Sequence, residues 1–276
     1  WRSGVTRMHV GRAHPAAAAA ALTLAVLLAV RIHRRRRISA AAPHVIVTAA
    51  AAEAACGEWL HAIRTGRLPA VIGLDAEWVK GRPPALLQLS CGAARRTLLL
   101  RLCAFRQEPP PPSLCALLAD GGILKTGVGV VSDLARLEAS LGLAACSGGV
   151  ELSIVAARDP ALQGMAGGGL RRLAAAVLGL DMDKGTAVRC SDWEAAALTA
   201  EQVRYAAEDA RVGYEVLLAL HARCLPPVPL EAWAGQLLAA APPRRPAKPA
   251  GMNGKPTPPV GRVGRGGGGG GGGGGG

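Results

Sequence analysis

Residues 70–77, AVIGLDAE, restrict the chain to few folds. A short apolar run that ends in acids reads as a buried strand whose last residues emerge beside the core. Such a strand needs cover on its faces, and the rest of the chain offers it. Strand-length runs are expected at 45–48, 86–90, 97–102 and 123–128, with 150–156 extended. Helix-length runs are expected at 49–63, 114–118, 132–141, 170–180 and 199–224. The last of these opens on Thr199 with Gln202 three residues on, a capping-box spacing. Early strands followed by helices predict an α/β domain built on a mixed sheet with flanking helices. Gly167-Gly168-Gly169 before the helix at 170 predicts a loosened helix start.

The formal net charge of +13 does not belong to this region. Residues 1–40 hold eight Arg and residues 241–276 hold six Lys+Arg, neither with an acid. That leaves 32 − 14 = 18 basic against 19 acidic residues in 41–240, a net of −1. A nucleic-acid function therefore has to be argued from chemistry, not from overall charge. The seven Cys show no C-x-x-C pair, which argues against a zinc finger or a disulfide framework and for free thiols. Three segments are expected: an apolar anchor with a basic flank over 1–40, a folded domain over 41–240, and a disordered Pro/Gly-rich tail over 241–276. Residues 16–30 are apolar except for Thr23, and Arg34–Arg37 follow. With Ile32 as an extension, residues 16–32 predict a short anchor helix held in a membrane, its basic flank in the cytosol. The style of the anchor suggests the mitochondrial outer membrane facing the cytosol, with a nuclear pool beside it.

Three places carry chemistry. Asp75 and Glu77 are at i and i+2 on a strand, so they share one face beside an apolar core. Carboxylates so placed repel unless a cation joins them, and oxygen ligands suit Mg²⁺ or Mn²⁺. One solvated acid at a strand end would look the same. Asp133 sits in the opening turn of a helix after Gly127-Val128-Gly129, where an acid also suits the helix dipole. Tyr205 and Asp209 are at i and i+4 on one helix face, while Glu208 falls on another. Each place alone has an ordinary structural explanation.

Together they read D-x-E, an Asp 56 residues after Glu77, and Y-x-x-x-D ending 76 residues after Asp133. This resembles the Tyr variant of the DEDD family of 3′–5′ exonucleases, which includes ribonuclease D, polymerase proofreading domains and the Werner-type exonuclease. The resemblance runs from about residue 69 to 223. It takes in the helix at 170–179, Gly179–Lys184, Arg189–Trp193 and Leu198–Gln202. One group of members carries a similar apolar anchor followed by arginines and a similar Asp-x-Glu-Trp-Val motif, here Asp75–Val79. The low-complexity tail is expected to stand where those members carry a further C-terminal region.

The resemblance implies a ribonuclease-H-like α/β fold and hydrolysis of single-stranded DNA or RNA from the 3′ end, releasing nucleoside 5′-monophosphates. It implies two Mg²⁺ or Mn²⁺ ions, with Asp75 bridging them. Glu77 and Asp209 would complete the site of the attacking water, and Asp133 would hold the second ion. Tyr205 would orient the water, since a neutral phenol is a poor base at pH 7. Trp78 and Leu74 would stack the terminal base, although a Trp below a sheet is also an ordinary core residue. A homodimer is a further expectation. A catalytically silent binding module of the same fold would be marked by a lost acid, and none is lost. A membrane-tethered scaffold would account for residues 31–37 and leave the five site residues unexplained.

Overall fold

The computed structural model describes residues 42–94, 96–182, 186–224 and 226–239. The segment expected to anchor in a membrane, and the tail from 241, lie outside the described residues. Among those described, no helix is long and apolar enough to cross a membrane.

Six strands form one mixed sheet: β1 (His44–Ile46), β2 (Val71–Glu77), β3 (Leu86–Cys91), β4 (Arg96–Leu100), β5 (Leu124–Gly127) and β6 (Gly149–Glu151). Their spatial order is β1-β4-β3-β2-β5-β6. β2, β3 and β4 form an antiparallel meander, while β5 and β6 add in parallel beside β2. β1 pairs parallel with β4 at the far edge. The acid-bearing strand is thus central, with neighbours on both sides.

Period-two alternation then decides what each face carries. Ile72 and Leu74 point one way and join Leu87, Leu89, Leu98 and Leu100 in the larger core cluster. Helix α1 (Ala49–Arg64) contributes Cys56, Trp59 and Ile63 to the same cluster, and α2 (Pro112–Ala119) contributes Leu114, Leu117 and Leu118. Thr48 caps α1, its hydroxyl accepting from the Ala51 amide at 3.2 Å. The opposite face of β2 carries Gly73, Asp75 and Glu77. Here Leu86 and Leu99 pack with Trp193, Tyr205, Ala206 and Ala207 in a smaller cluster.

The helix over this second face is α7 (Ala200–His221). Before it come α3 (Val130–Leu141), α4 (Leu152–Ala156), α5 (Leu170–Leu173) and α6 (Thr186–Arg189), and α8 (Leu230–Ala239) closes the described chain. The capping box is present: the Thr199 amide donates to Gln202 Oε1 at 2.8 Å and the Gln202 amide to Thr199 Oγ1 at 3.1 Å. The Gln202 side chain also donates to Ser191 Oγ at 2.9 Å and to the Asp192 carbonyl at 3.0 Å. Buried Arg101, at the end of β4, donates to the carbonyls of Ala195 and Ala196. The start of α7 is therefore pinned to the loop before it, and that loop to the sheet.

Two expectations need correction. Residues 150–156 are not extended throughout: the strand stops at Glu151 and α4 follows. Leu152, Val155 and Ala156 are buried at i, i+3 and i+4, so helical packing overrides the local preference of Ile154 and Val155. Residues 170–180 do not form one α-helix either. A four-residue α turn passes into a π turn over 174–178. Gly169 offers no side-chain cap at the loosened start, and Gly179 ends the segment at φ 60°. Helix α8 was missed, although Trp233 packs its ring 5.1 Å from His221. Among the described residues the cysteines form no disulfide.

Candidate metal centre

Asp75 lies two residues before the end of β2, and Glu77 ends it. Both face α7, as their spacing predicts. α7 in turn lowers Asp209 onto the strand from above. One carboxylate oxygen from each of Asp75, Glu77 and Asp209 lies within 4.8 Å of the others. Glu77 and Asp209 are buried and Asp75 is partly exposed, so the group opens toward solvent on one side. Three hard oxygen donors converging at a buried strand end fit a divalent cation such as Mg²⁺ or Mn²⁺. Without a cation, their mutual repulsion would be costly there.

Tyr205, one turn before Asp209 on the same face, completes the cluster. Its ring lies 6.1 Å from that of Trp193, itself held by an Nε1 hydrogen bond to the Arg189 carbonyl at 3.2 Å. Burial pushes the phenol pKa up, and the carboxylates of Asp209, Glu77 and Asp75 push it further. A hydrogen bond between the Tyr205 and Asp209 side chains acts in the same direction. The hydroxyl therefore keeps its proton at neutral pH and donates it to an acceptor.

Asp133 stands apart from the three-oxygen group. It is buried in the first turn of α3, which begins two residues earlier than expected. Gly129 precedes that helix at φ 81°, a conformation favourable to glycine, and its amide donates to Glu151 Oε2 at 2.7 Å. Burial pushes the Asp133 carboxyl up to about 7, with the Arg136 guanidinium opposing the rise and Glu151 adding to it. An unfolded Asp titrates near 3.9, so the folded chain retains a proton that the unfolded chain loses between about pH 4 and 7. Stability should fall as pH rises through that window. In the chelated protein, Asp133→Asn should melt close to wild type at pH 4 and about 5 °C above it at pH 8 by calorimetry. Equal melting temperatures at both pH values would contradict this.

The aromatic expectation divides in two. Leu74 is 1% exposed and faces the larger core, so it offers no surface to a base. Trp78 is partly exposed, and the Arg136 guanidinium stacks 4.4 Å from its ring centroid. Glu208 lies off the site and pairs with Arg211 at 3.6 Å. Sequence reading missed Arg136, Glu151 and Gln88. Of these, only Gln88 carried a signal, a lone amide in the apolar run LLQLSC.

Residues 43–224 match a family model described as 3′–5′ exonuclease. The human exonuclease 3′-5′ domain-containing protein 2 is 36% identical over 162 residues, covering 54% of this chain and 25% of the relative. The Drosophila melanogaster protein of the same name is 36% identical over 148 residues, covering 51% of this chain and 23% of the relative. The chain thus spans about a quarter of the length of the relatives it matches. A crystal structure of the EXD2 exonuclease domain soaked in Mn and Mg is 29% identical with a TM-score of 0.40, covering 74% of this chain and all of that one.

Proposed function

The chain belongs to the 3′–5′ exonuclease family, and we propose that it removes nucleotides one at a time from the 3′ ends of single-stranded DNA or RNA, releasing nucleoside 5′-monophosphates. The observation that carries this reading is the convergence of Asp75, Glu77 and Asp209 oxygens within 4.8 Å, with Tyr205 beside them. No acid of the four is lost, which disfavours a silent binding module.

Asp75, Glu77 and Asp209 would hold Mg²⁺ or Mn²⁺. Two such ions, when bound, offset the charge of the phosphodiester and make a bound water more acidic. Asp133 would serve from outside the three-oxygen group, through water. Tyr205 supplies a hydrogen-bond donor rather than a base. Its pKa is raised, so its proton stays on the hydroxyl oxygen, which is aimed by the bond with Asp209. Trp78, backed by Arg136, is the aromatic surface available to a terminal base. Helix α7 and the loop at Trp193 cover one side of the cluster, leaving Asp75 as its open side.

Tyr205→Phe keeps the ring and removes only the donor. It should lower kcat about 10²-fold and change KM little, because orientation acts on the reacting water and not on the bound strand. An unchanged kcat would remove Tyr205 from the mechanism. The function itself is tested by product analysis with Mn²⁺, Mg²⁺ and EDTA. Nucleoside 5′-monophosphates should appear with either ion and be absent with chelator. Oligonucleotide products, or turnover in EDTA, would overturn the reading.

Residues 16–32 and the arginines after them support a membrane-held enzyme at the cytosolic face of the mitochondrial outer membrane. Deletion of residues 1–40 should release the protein from membranes and leave metal-dependent cleavage intact.

A further inference from the structure

The sheet face beneath α7 is polar for a surface covered by a helix. Asp75, Glu77, Gln88, Ser90, Thr97 and Thr126 all lie on it by register. Ser90 and Thr97 satisfy each other, their hydroxyl oxygens 3.1 Å apart. Gln88 does not fit that pattern. It is 0% exposed, in the middle of β3. Its Nε2 and Oε1 are both buried with no hydrogen-bond partner. A buried amide so placed is disfavoured relative to an apolar side chain of the same size. The neighbours Leu86 and Leu99 show that the surroundings accept apolar groups. A buried orphan of this kind asks for an explanation beyond packing.

The register supplies one. Gln88 is directly opposite Asp75 in the antiparallel pair of β2 and β3. Directly opposed residues share a face, with Cβ atoms about 4.5–5.5 Å apart. A glutamine side chain spans that gap to the Asp75 carboxylate. Its amide is neutral, so it adds no charge to compete for a cation, and its Nε2 can only donate.

We propose that Gln88 is a positioning residue for the metal centre: its Nε2 donates to the Asp75 carboxylate when that group holds Mg²⁺ or Mn²⁺, fixing which oxygen turns to the ion. Outer hydrogen bonds of this kind orient ligands and tune affinity. The proposal rests on the metal-centre reading above.

The test titrates the full 276-residue chain with Mn²⁺ alone, following free ion by electron paramagnetic resonance, and measures the melting temperature without metal. Gln88→Met keeps the volume and deletes the amide. Gln88→Asn keeps the amide and withdraws it by one methylene. Gln88→Met should weaken Mn²⁺ binding about tenfold while melting higher than wild type, since the orphan amide is gone. Gln88→Asn should also bind Mn²⁺ more weakly, and it decides the matter should the Met variant fail to fold. Asp75→Asn reports on the site itself. Wild-type binding that is lost in Asp75→Asn but unchanged in a folded Gln88 variant overturns the proposal and leaves the metal-centre reading intact. No Mn²⁺ binding by wild type overturns both.

Discussion

Asp75→Asn is expected to lose at least about 10³-fold in kcat while melting about 3 °C higher than wild type in the absence of metal. The two effects share one cause. Asp75, Glu77 and Asp209 bring three carboxylate oxygens within 4.8 Å, two of them on buried side chains. With a cation present, that concentration of charge is what binds it. Without one, it is repulsion between like charges near a low-dielectric core. The Asn side chain has nearly the same shape, so the packing of β2 on α7 is kept and one charge is removed. Mn²⁺ should raise the melting temperature of wild type and leave that of the variant almost unchanged, because only the form that binds is stabilised by mass action. A variant that cleaves within tenfold of wild type, or melts lower without metal, would contradict this account of the site.

The second large effect lies away from any carboxylate. Gly73 sits on β2 two residues before Asp75, where the backbone of α7 packs directly against the strand. A Cβ there would lie 1.9 Å from the Ala210 carbonyl oxygen and 3.0 Å from Tyr214 Cβ. The first neighbour is helix backbone and cannot rotate away, so Gly73→Ala must push α7 off the sheet. Overpacking against a rigid group costs about 3 kcal/mol, which corresponds to a melting temperature lower by about 8 °C. The same displacement carries Asp209 and Tyr205 away from Asp75 and Glu77. A shift on the order of 1 Å at a reacting centre costs about 10²-fold in rate. Activity and Mn²⁺ affinity should therefore fall together, although no ligand has been touched. A Gly73→Ala protein with normal melting and normal kcat would show that the seat of α7 on β2 does not position the site.

Much of this arrangement is legible in the sequence. The pairing of Asp75 with Glu77 follows from strand periodicity, and that of Tyr205 with Asp209 from helix periodicity. Thr199 and Gln202 announced where α7 begins, and the cap bonds are present. What was not legible depends on contacts between elements. Leu74 neighbours Asp75 in sequence, yet it faces the opposite side of the sheet and is buried there. Arg136 and Trp78 meet only because β2 and α3 lie side by side. Glu151 comes near Asp133 by reaching back to the Gly129 amide. Gln88 is a lone polar residue in an apolar strand, a signal that the reading of the sequence passed over, and its place opposite Asp75 needed the register. The helical turn after Glu151 was hidden by the β-branched pair Ile154 and Val155, because burial of Leu152, Val155 and Ala156 on one helical face, not local propensity, sets the backbone there.

If this cluster cuts nucleic acid from the 3′ end, as proposed above, cleavage must require both a free 3′ terminus and Asp75. The most direct test follows a 5′-labelled single strand with the purified chain and Mn²⁺, beside the same strand with a blocked 3′ terminus and beside the Asp75→Asn protein. The expected result is a ladder that shortens one nucleotide at a time on the free end, with no ladder on the blocked end or from the variant. Equal degradation of the blocked strand, or a ladder from Asp75→Asn matching that of wild type, would contradict it.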